Sequence, residues 1–300
     1  MIKDVQHESG DNEMTPIAAG KTAFVFAGGG SFGAIQVGML QALIEYGLKP
    51  DLMVGASVGA LNCAYFAGNP TAAGVLQLEQ IWCQLRRRDI FPVTFGRIAG
   101  LFSHASSLVE ASGLRQLITR HLPYRLLEEA AIPVHVIATD QLHGKAVQIS
   151  SGPAVDAILA SCAIPAVYPA VLINDTYLID GAIASNTPVI AAVALGAQRL
   201  IVLPTGYACA MATPPASAIG CALHALNMLI AHQLVQDLEL LADKVSVVTV
   251  PPLCPLAVSP YDFSQARNLI ESAARNTRRW LDNGGLTQPG IPGALRPHQD

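Results

Sequence analysis

The feature that most constrains this chain is the run V-G-A-S-V-G-A-L at residues 54–61, in which Gly55-Ala56-Ser57-Val58-Gly59 forms a G-x-S-x-G pentapeptide behind a short apolar stretch. A serine in that pattern belongs on a sharp strand-to-helix turn, with glycines flanking it where a Cβ would drive the strand and helix backbones into collision. Such a turn lifts the hydroxyl out of the fold. The pentapeptide is short and the chain holds 25 glycines, so its surroundings have to carry the assignment.

Those surroundings alternate strand with helix. Residues 22–27 are an apolar, β-prone run, followed by Gly28-Gly29-Gly30-Ser31-Phe32-Gly33 and then by apolar residues at helical spacing over 34–46. A second strand over 52–55 leads into Ser57, which opens a helix to about residue 67. Helices are expected again over 71–85, 114–121, 153–161, 188–195, 218–241 and 263–281. Strands are expected over 134–138, 146–149, 199–203 and 245–250. Asn174-Asp175 is a turn pair between two short strands, a hairpin that delivers Asp180-Gly181 at its end. Residues 86–107 lose periodicity and read as an insertion or lid, with 205–215 as a small-residue loop. The pattern predicts a mostly parallel sheet covered on both faces. It forms one domain over 21–281, between a disordered lead-in over 1–20 and a flexible tail over 282–300.

A fully covered parallel sheet also explains why 51% of the residues are hydrophobic, only 13% are charged and the mean hydropathy is +0.40. The longest apolar stretch, 188–203, is interrupted by Gly196, Gln198 and Arg199 and falls short of the ~20 residues that a membrane-spanning helix needs. Charged residues from Lys3 to Glu13 precede any apolar run, so no secretory signal is expected. The net charge of -4 and the absence of a basic stripe with interleaved aromatics argue against a nucleic-acid partner. Six scattered cysteines without C-x-x-C or histidine pairing suit reduced, mostly buried thiols in a cytoplasmic protein. Arg86-Arg87-Arg88 reads first as a solvated helix end and second as a contact for anionic lipid.

Gly28, Gly30 and Gly33 satisfy the dinucleotide fingerprint G-x-G-x-x-G as well. That reading requires an acid at the end of the next strand to hold a ribose, and the nearby Asp51 precedes that strand instead. A nucleotide cofactor is therefore not expected. The other use of a glycine turn at a helix start is to aim backbone N–H groups at developing negative charge. For a serine nucleophile that charge is the oxyanion of a tetrahedral intermediate, with Gly29 and Gly30 as the first candidate donors. The serine also needs a base, and His104, His121, His135, His143, His224 and His232 all lie in unrelated contexts. The carboxylate of Asp180 is the alternative, provided that it is buried and bonded directly to Ser57.

Three separated elements, A-G-G-G-S-F-G (27–33), G-A-S-V-G (55–59) and D-G-A (180–182), resemble the patatin-like phospholipases in order and spacing. A-T-D at 138–140, A-S-C-A-I-P-A-V-Y-P-A-V at 160–171 and S-N-T-P-V at 185–189 resemble bacterial members. The resemblance implies a three-layer α/β/α sandwich with a central, mostly parallel sheet. It implies a Ser57–Asp180 dyad without histidine and an oxyanion hole drawn from Gly28, Gly29, Gly30 and Ser31. Gly33, Gly55, Gly59, Gly181 and Ala182 are its remaining motif positions. It also implies hydrolysis of lipid or fatty acyl esters through an acyl-enzyme, peripheral contact with a membrane surface, and neither metal nor cofactor. Acyl transfer by the same dyad and a non-catalytic lipid-binding role are the alternatives. Two positions depart from the family pattern: Phe32 stands where Arg or Lys is common, and Ala182 where D-G-G is frequent.

Overall fold

Strand β1 (Thr22–Phe26) shows how the layers arise, because its side chains alternate between two cores. Phe24 and Phe26 enter one, Ala23 and Val25 the other. The computed structural model describes residues 20–90, 110–206, 218–241, 244–288 and 292–295. Residues 1–19 of the expected lead-in, most of the expected lid, the loop from 207 and Cys209 lie outside the described residues.

After β1 come α1 (Gly33–Glu45), β2 (Leu52–Ala56), α2 (Val58–Gly68), α3 (Ala72–Gln84), α4 (Arg87–Ile90) and α5 (Ser112–His121). They are followed by β3 (Val134–Asp140), β4 (Ala146–Ile149), α6 (Ala154–Ser161), β5 (Val171–Ile173) and β6 (Thr176–Asp180). The chain continues through α7 (Ala182–Ser185), α8 (Val189–Ala194), β7 (Arg199–Leu203), α9 (Ala218–Leu241), β8 (Ser246–Thr249) and α10 (Ala266–Asp282). The sheet runs β5-β6-β3-β2-β1-β7-β8, with β4 also paired to β3. From β3 to β8 the pairings are parallel, whereas β4 and β6 are antiparallel to β3 and β5 is antiparallel to β6. The β5–β6 hairpin turns at Asn174 and Asp175, both at positive φ (48° and 60°), which matches the right-handed twist of the strands.

Helices α1, α2, α3, α6 and α10 cover one face, and α8 and α9 cover the other. This is the expected three-layer α/β/α sandwich. Parallel strands place β1 and β2 so that the loops after both open at one edge of the sheet, where ligands of open α/β folds bind. Asp51 lies at the opposite edge, accepting a 2.7 Å bond from the Thr22 N–H.

Three expectations change. Pro153 is the residue before α6 rather than its first residue. The tail expected over 282–300 is partly packed: Leu286 rests half-buried against the larger core and Leu295 is only 5% exposed in the smaller one, while Asp282, Asn283, Thr287 and Gln288 are exposed. The cysteines are less uniformly buried than expected, with Cys63 and Cys162 buried but Cys221 exposed. No described helix is long and apolar enough to cross a membrane.

Candidate active site

Ser57 stands alone between β2 and α2, at φ 53° and ψ −128°. A non-glycine residue at positive φ costs ~1–3 kcal/mol and persists only where its surroundings enforce it. Here they do. A Cβ on Gly55 would meet the Gly59 carbonyl at 2.6 Å, and one on Gly59 would meet the Phe26 and Ala27 carbonyls at 2.4 and 2.6 Å. The two glycines therefore allow α2 to start directly against β1 and β2. The Ser57 N–H donates to Ser161 Oγ (2.8 Å), and the Ser161 hydroxyl donates to the Ile137 carbonyl (2.5 Å), which ties the elbow to β3.

Asp180 ends β6 with its side chain 4% exposed. Its Oδ2 accepts from the Ser57 hydroxyl at 2.8 Å, and its Oδ1 accepts from the Ala182 N–H at 2.8 Å. Its backbone is held as well: the N–H donates to the Ala163 carbonyl (2.9 Å) and the carbonyl accepts from Thr139 Oγ1 (2.8 Å). Burial pushes the carboxyl up to about 6, against the opposing pull of the Ala182 N–H and the Ser57 hydroxyl. Gly181 is pinned too, since a Cβ there would meet the Ile137 carbonyl at 2.0 Å.

The glycine loop lies beside the serine, and a Cβ on Gly28 would stand 3.1 Å from Ser57 Cβ. The four residues expected to form the hole divide into two pairs. The Gly28 N–H donates to the Asn186 carbonyl (3.0 Å) and the Ser31 N–H to the Pro260 carbonyl (2.8 Å), so both are engaged inside the protein. These two bonds anchor the loop, helped by Thr205 Oγ1 donating to the Gly28 carbonyl (2.7 Å). Gly29 and Gly30 have no partner for their N–H groups among the described residues. Gly30 sits at φ 58°, and a Cβ there would strike the Pro260 carbonyl at 2.4 Å. Gly33 fits its Cα against Val58 and the Trp82 ring.

Ser57 and Gly30 form the polar end of an apolar pocket walled by Val58, Leu61, Trp82, Leu85, Leu117 and Phe263. The Trp82 and Phe263 rings stack at 6.2 Å between centroids. Cys162 also lines the pocket, and burial holds its thiol neutral, with the Asp180 charge acting in the same direction. Leu85 and Leu117 line both this pocket and a polar cleft of about 500 Å³ that carries Arg88, Asp89, Arg120 and His121. Arg86, Arg87 and Arg88 are exposed, as a solvated helix end would be. Phe32 is only 2% exposed and packs into the larger core rather than facing the site.

Among the described residues no histidine joins Ser57: His135 pairs with Ser150 Oγ, and His143 with Asp140. No described group of three or more His, Cys, Asp or Glu is placed to hold a metal. Ser161, Thr139 and Asn186 support the site without having been assigned a role from sequence. The signal for all three was present, since each lies in a segment noted for its resemblance to bacterial relatives.

Fold and site together define an α/β/α protein with a serine elbow bonded to a buried carboxylate beside a glycine loop. Residues 24–193 match the patatin-like phospholipase family, and the chain belongs to it. An uncharacterized NTE family protein of Mycobacterium tuberculosis is 30% identical over 169 residues, 56% of this chain and 44% of that protein. Patatin-like phospholipase domain-containing protein 7 of Rattus norvegicus is 27% identical over 61% of this chain and 13% of its own length. The chain thus matches less than half the length of these relatives. Among solved structures, human GIVD cytosolic phospholipase A2 aligns over 92% of this chain and 59% of its own, at 12% identity and a TM-score of 0.46.

Proposed function

We propose that the protein is a serine-dependent lipid acyl hydrolase of phospholipase A or lysophospholipase type. The observation that carries this reading is the 2.8 Å bond from the Ser57 hydroxyl to Asp180, at an apolar pocket that Ser57 and Gly30 both line. Family membership and the lipase and phospholipase names of several relatives support it. Ser57 Oγ attacks the ester carbonyl carbon as its proton passes to Asp180 Oδ2, and the Gly29 and Gly30 N–H groups receive the oxyanion. The intermediate collapses, the alkoxide leaves with the proton from Asp180, and the acyl group stays on Ser57. Water then loses a proton to Asp180 and attacks the acyl-enzyme. The fatty acid departs as Ser57 recovers its proton.

The test is labelling by a fluorophosphonate together with turnover of a medium-chain nitrophenyl ester. Ser57→Ala is expected to lose both, and Asp180→Asn to lose turnover by roughly 10³-fold or more. Turnover retained by a folded Ser57→Ala would sink the assignment. Lipid binding by a wild type that neither labels nor turns over would favour a regulatory role.

A further inference from the structure

The amide side chains of Gln36 and Asn62 form a buried chain that the proposed reaction does not use. Both residues are fully buried. Gln36, in the first turn of α1, donates through Nε2 to the Ala27 carbonyl (2.8 Å) and the Leu203 carbonyl (2.9 Å). Asn62, on α2 five residues after Ser57, donates through Nδ2 to the Gly33 carbonyl (2.9 Å) and to Gln36 Oε1 (2.9 Å). Asn62 Oδ1 accepts from the Trp82 indole N–H at 2.9 Å.

Ala27 and Gly33 are the two ends of the glycine loop. One pair of amides therefore clamps both ends of the segment that holds Gly29 and Gly30, and one of those amides is fixed to the helix that Ser57 opens. The polarity of the chain is fully determined. An indole nitrogen only donates and a backbone carbonyl only accepts, so Asn62 must turn Oδ1 to Trp82 and Gln36 must turn Nε2 to the loop. No amide in the chain can flip without leaving a buried donor facing a donor, a fault that costs far more than a neutral hydrogen bond gains. The ring of Trp82 also lines the apolar pocket.

We infer that Gln36 and Asn62 are positioning residues that set the distance between the glycine-loop N–H groups and Ser57, with Trp82 locking their orientation from the pocket wall. The inference rests on the reading of Gly29 and Gly30 as oxyanion donors for its effect on rate, but its effect on the loop is independent of that reading.

The test measures hydrogen exchange of the 27–33 segment and ester kinetics side by side in wild type, Asn62→Leu, Gln36→Leu and Trp82→Phe. Trp82→Phe keeps an aromatic ring in the wall while removing the indole donor and part of the ring volume. Leu43→Ala is the control: it opens a cavity under α1 while leaving every amide of the chain in place. Exchange of 27–33 is expected to quicken at least tenfold in the Leu variants, and severalfold in Trp82→Phe, beyond any change in the control. The value of kcat should fall at least tenfold, with KM within threefold, for a short acetyl ester as well as for a medium-chain one. Loop exchange no faster than in Leu43→Ala overturns the inference whatever the activity. A loss confined to medium-chain esters overturns it as well, because it would make Trp82 a pocket wall and nothing more. Quickened exchange in a protein whose wild type never turns over supports the clamp and removes the hydrolase reading instead.

Discussion

A carboxyl that titrates near 6 is charged at neutral pH yet is a far better base than an ordinary aspartate, and burial alone raises Asp180 to that point. In the proposed reaction the base form is required, so kcat/KM for a neutral ester should rise with pH along a limb centred near 6 and then level off. A limb near 4 would mean a solvated carboxyl. The same shift sets a stability effect. Because the folded-state value lies above the unfolded one, the stabilising contribution is complete below about 4 and is lost as pH rises through about 6. Asp180→Asn keeps an acceptor for the Ala182 N–H and carries no charge, so it should be more stable than wild type at pH 8, by up to about 3 kcal/mol. The two Tm values should converge towards pH 4, and a constant gap over that range would contradict a desolvated charge. The sequence named Asp180 and made its burial a condition, but held no sign of what supplies it. Asp-Gly alone is a turn, and what buries the carboxyl is β3 and the loop after α6. Phe32 shows the opposite case: its chemistry was plain in the sequence, while its direction, into the core, depended on how the loop closes onto α1.

The elements that meet at the site do so through backbone carbonyls, which explains where substitution will hurt. The Ile137 carbonyl of β3 accepts the Ser161 hydroxyl and also sits against the Cα of Gly181. Gly181→Ala has to push α7 off β3, with a cost of at least ~1–3 kcal/mol and a lost register between Asp180 and Ser57. Ala182→Gly, by contrast, keeps the N–H that Asp180 accepts and gives up helix propensity and one buried methyl, about 1–2 kcal/mol. Thermal melts and ester turnover of the two variants should separate them, with turnover nearly lost in the first and kept in the second. Equal tolerance would show that the hairpin end is not pinned. The strand–helix rhythm was legible at this scale because apolar runs and the Asn174-Asp175 turn pair punctuate it. Helix α7 was not, since four residues, A-I-A-S, hold no helical period. The elbow was readable as a turn, but its third support, Ser161, comes from an element 104 residues downstream that no local pattern connects to Ser57.

The whole molecule gathers these pieces at one sheet edge and leaves one continuous apolar space between α2, α3, α5 and the segment before α10. In the proposed reaction an acyl chain on Ser57 would enter the pocket lined by Val58, Leu61 and Trp82, whose Leu85 and Leu117 also line the polar cleft that carries Arg88 and Arg120. Each methylene buried in such a space contributes about 0.8 kcal/mol, or roughly fourfold in kcat/KM. A series of nitrophenyl esters should therefore gain about that factor per carbon until the chain reaches the two leucines, and then stop gaining, because further carbons would enter a charged cleft. Leu117→Trp moves that wall inward, so the optimum should shift to a shorter chain with acetyl ester turnover unchanged. Leu117→Ala should move it outward. The wall assignment fails if both variants keep the wild-type optimum, since the chain would then run in another direction from Ser57. A shift of the optimum in opposite senses would tie chain-length preference to one residue of α5, far in sequence from every motif that identifies the family.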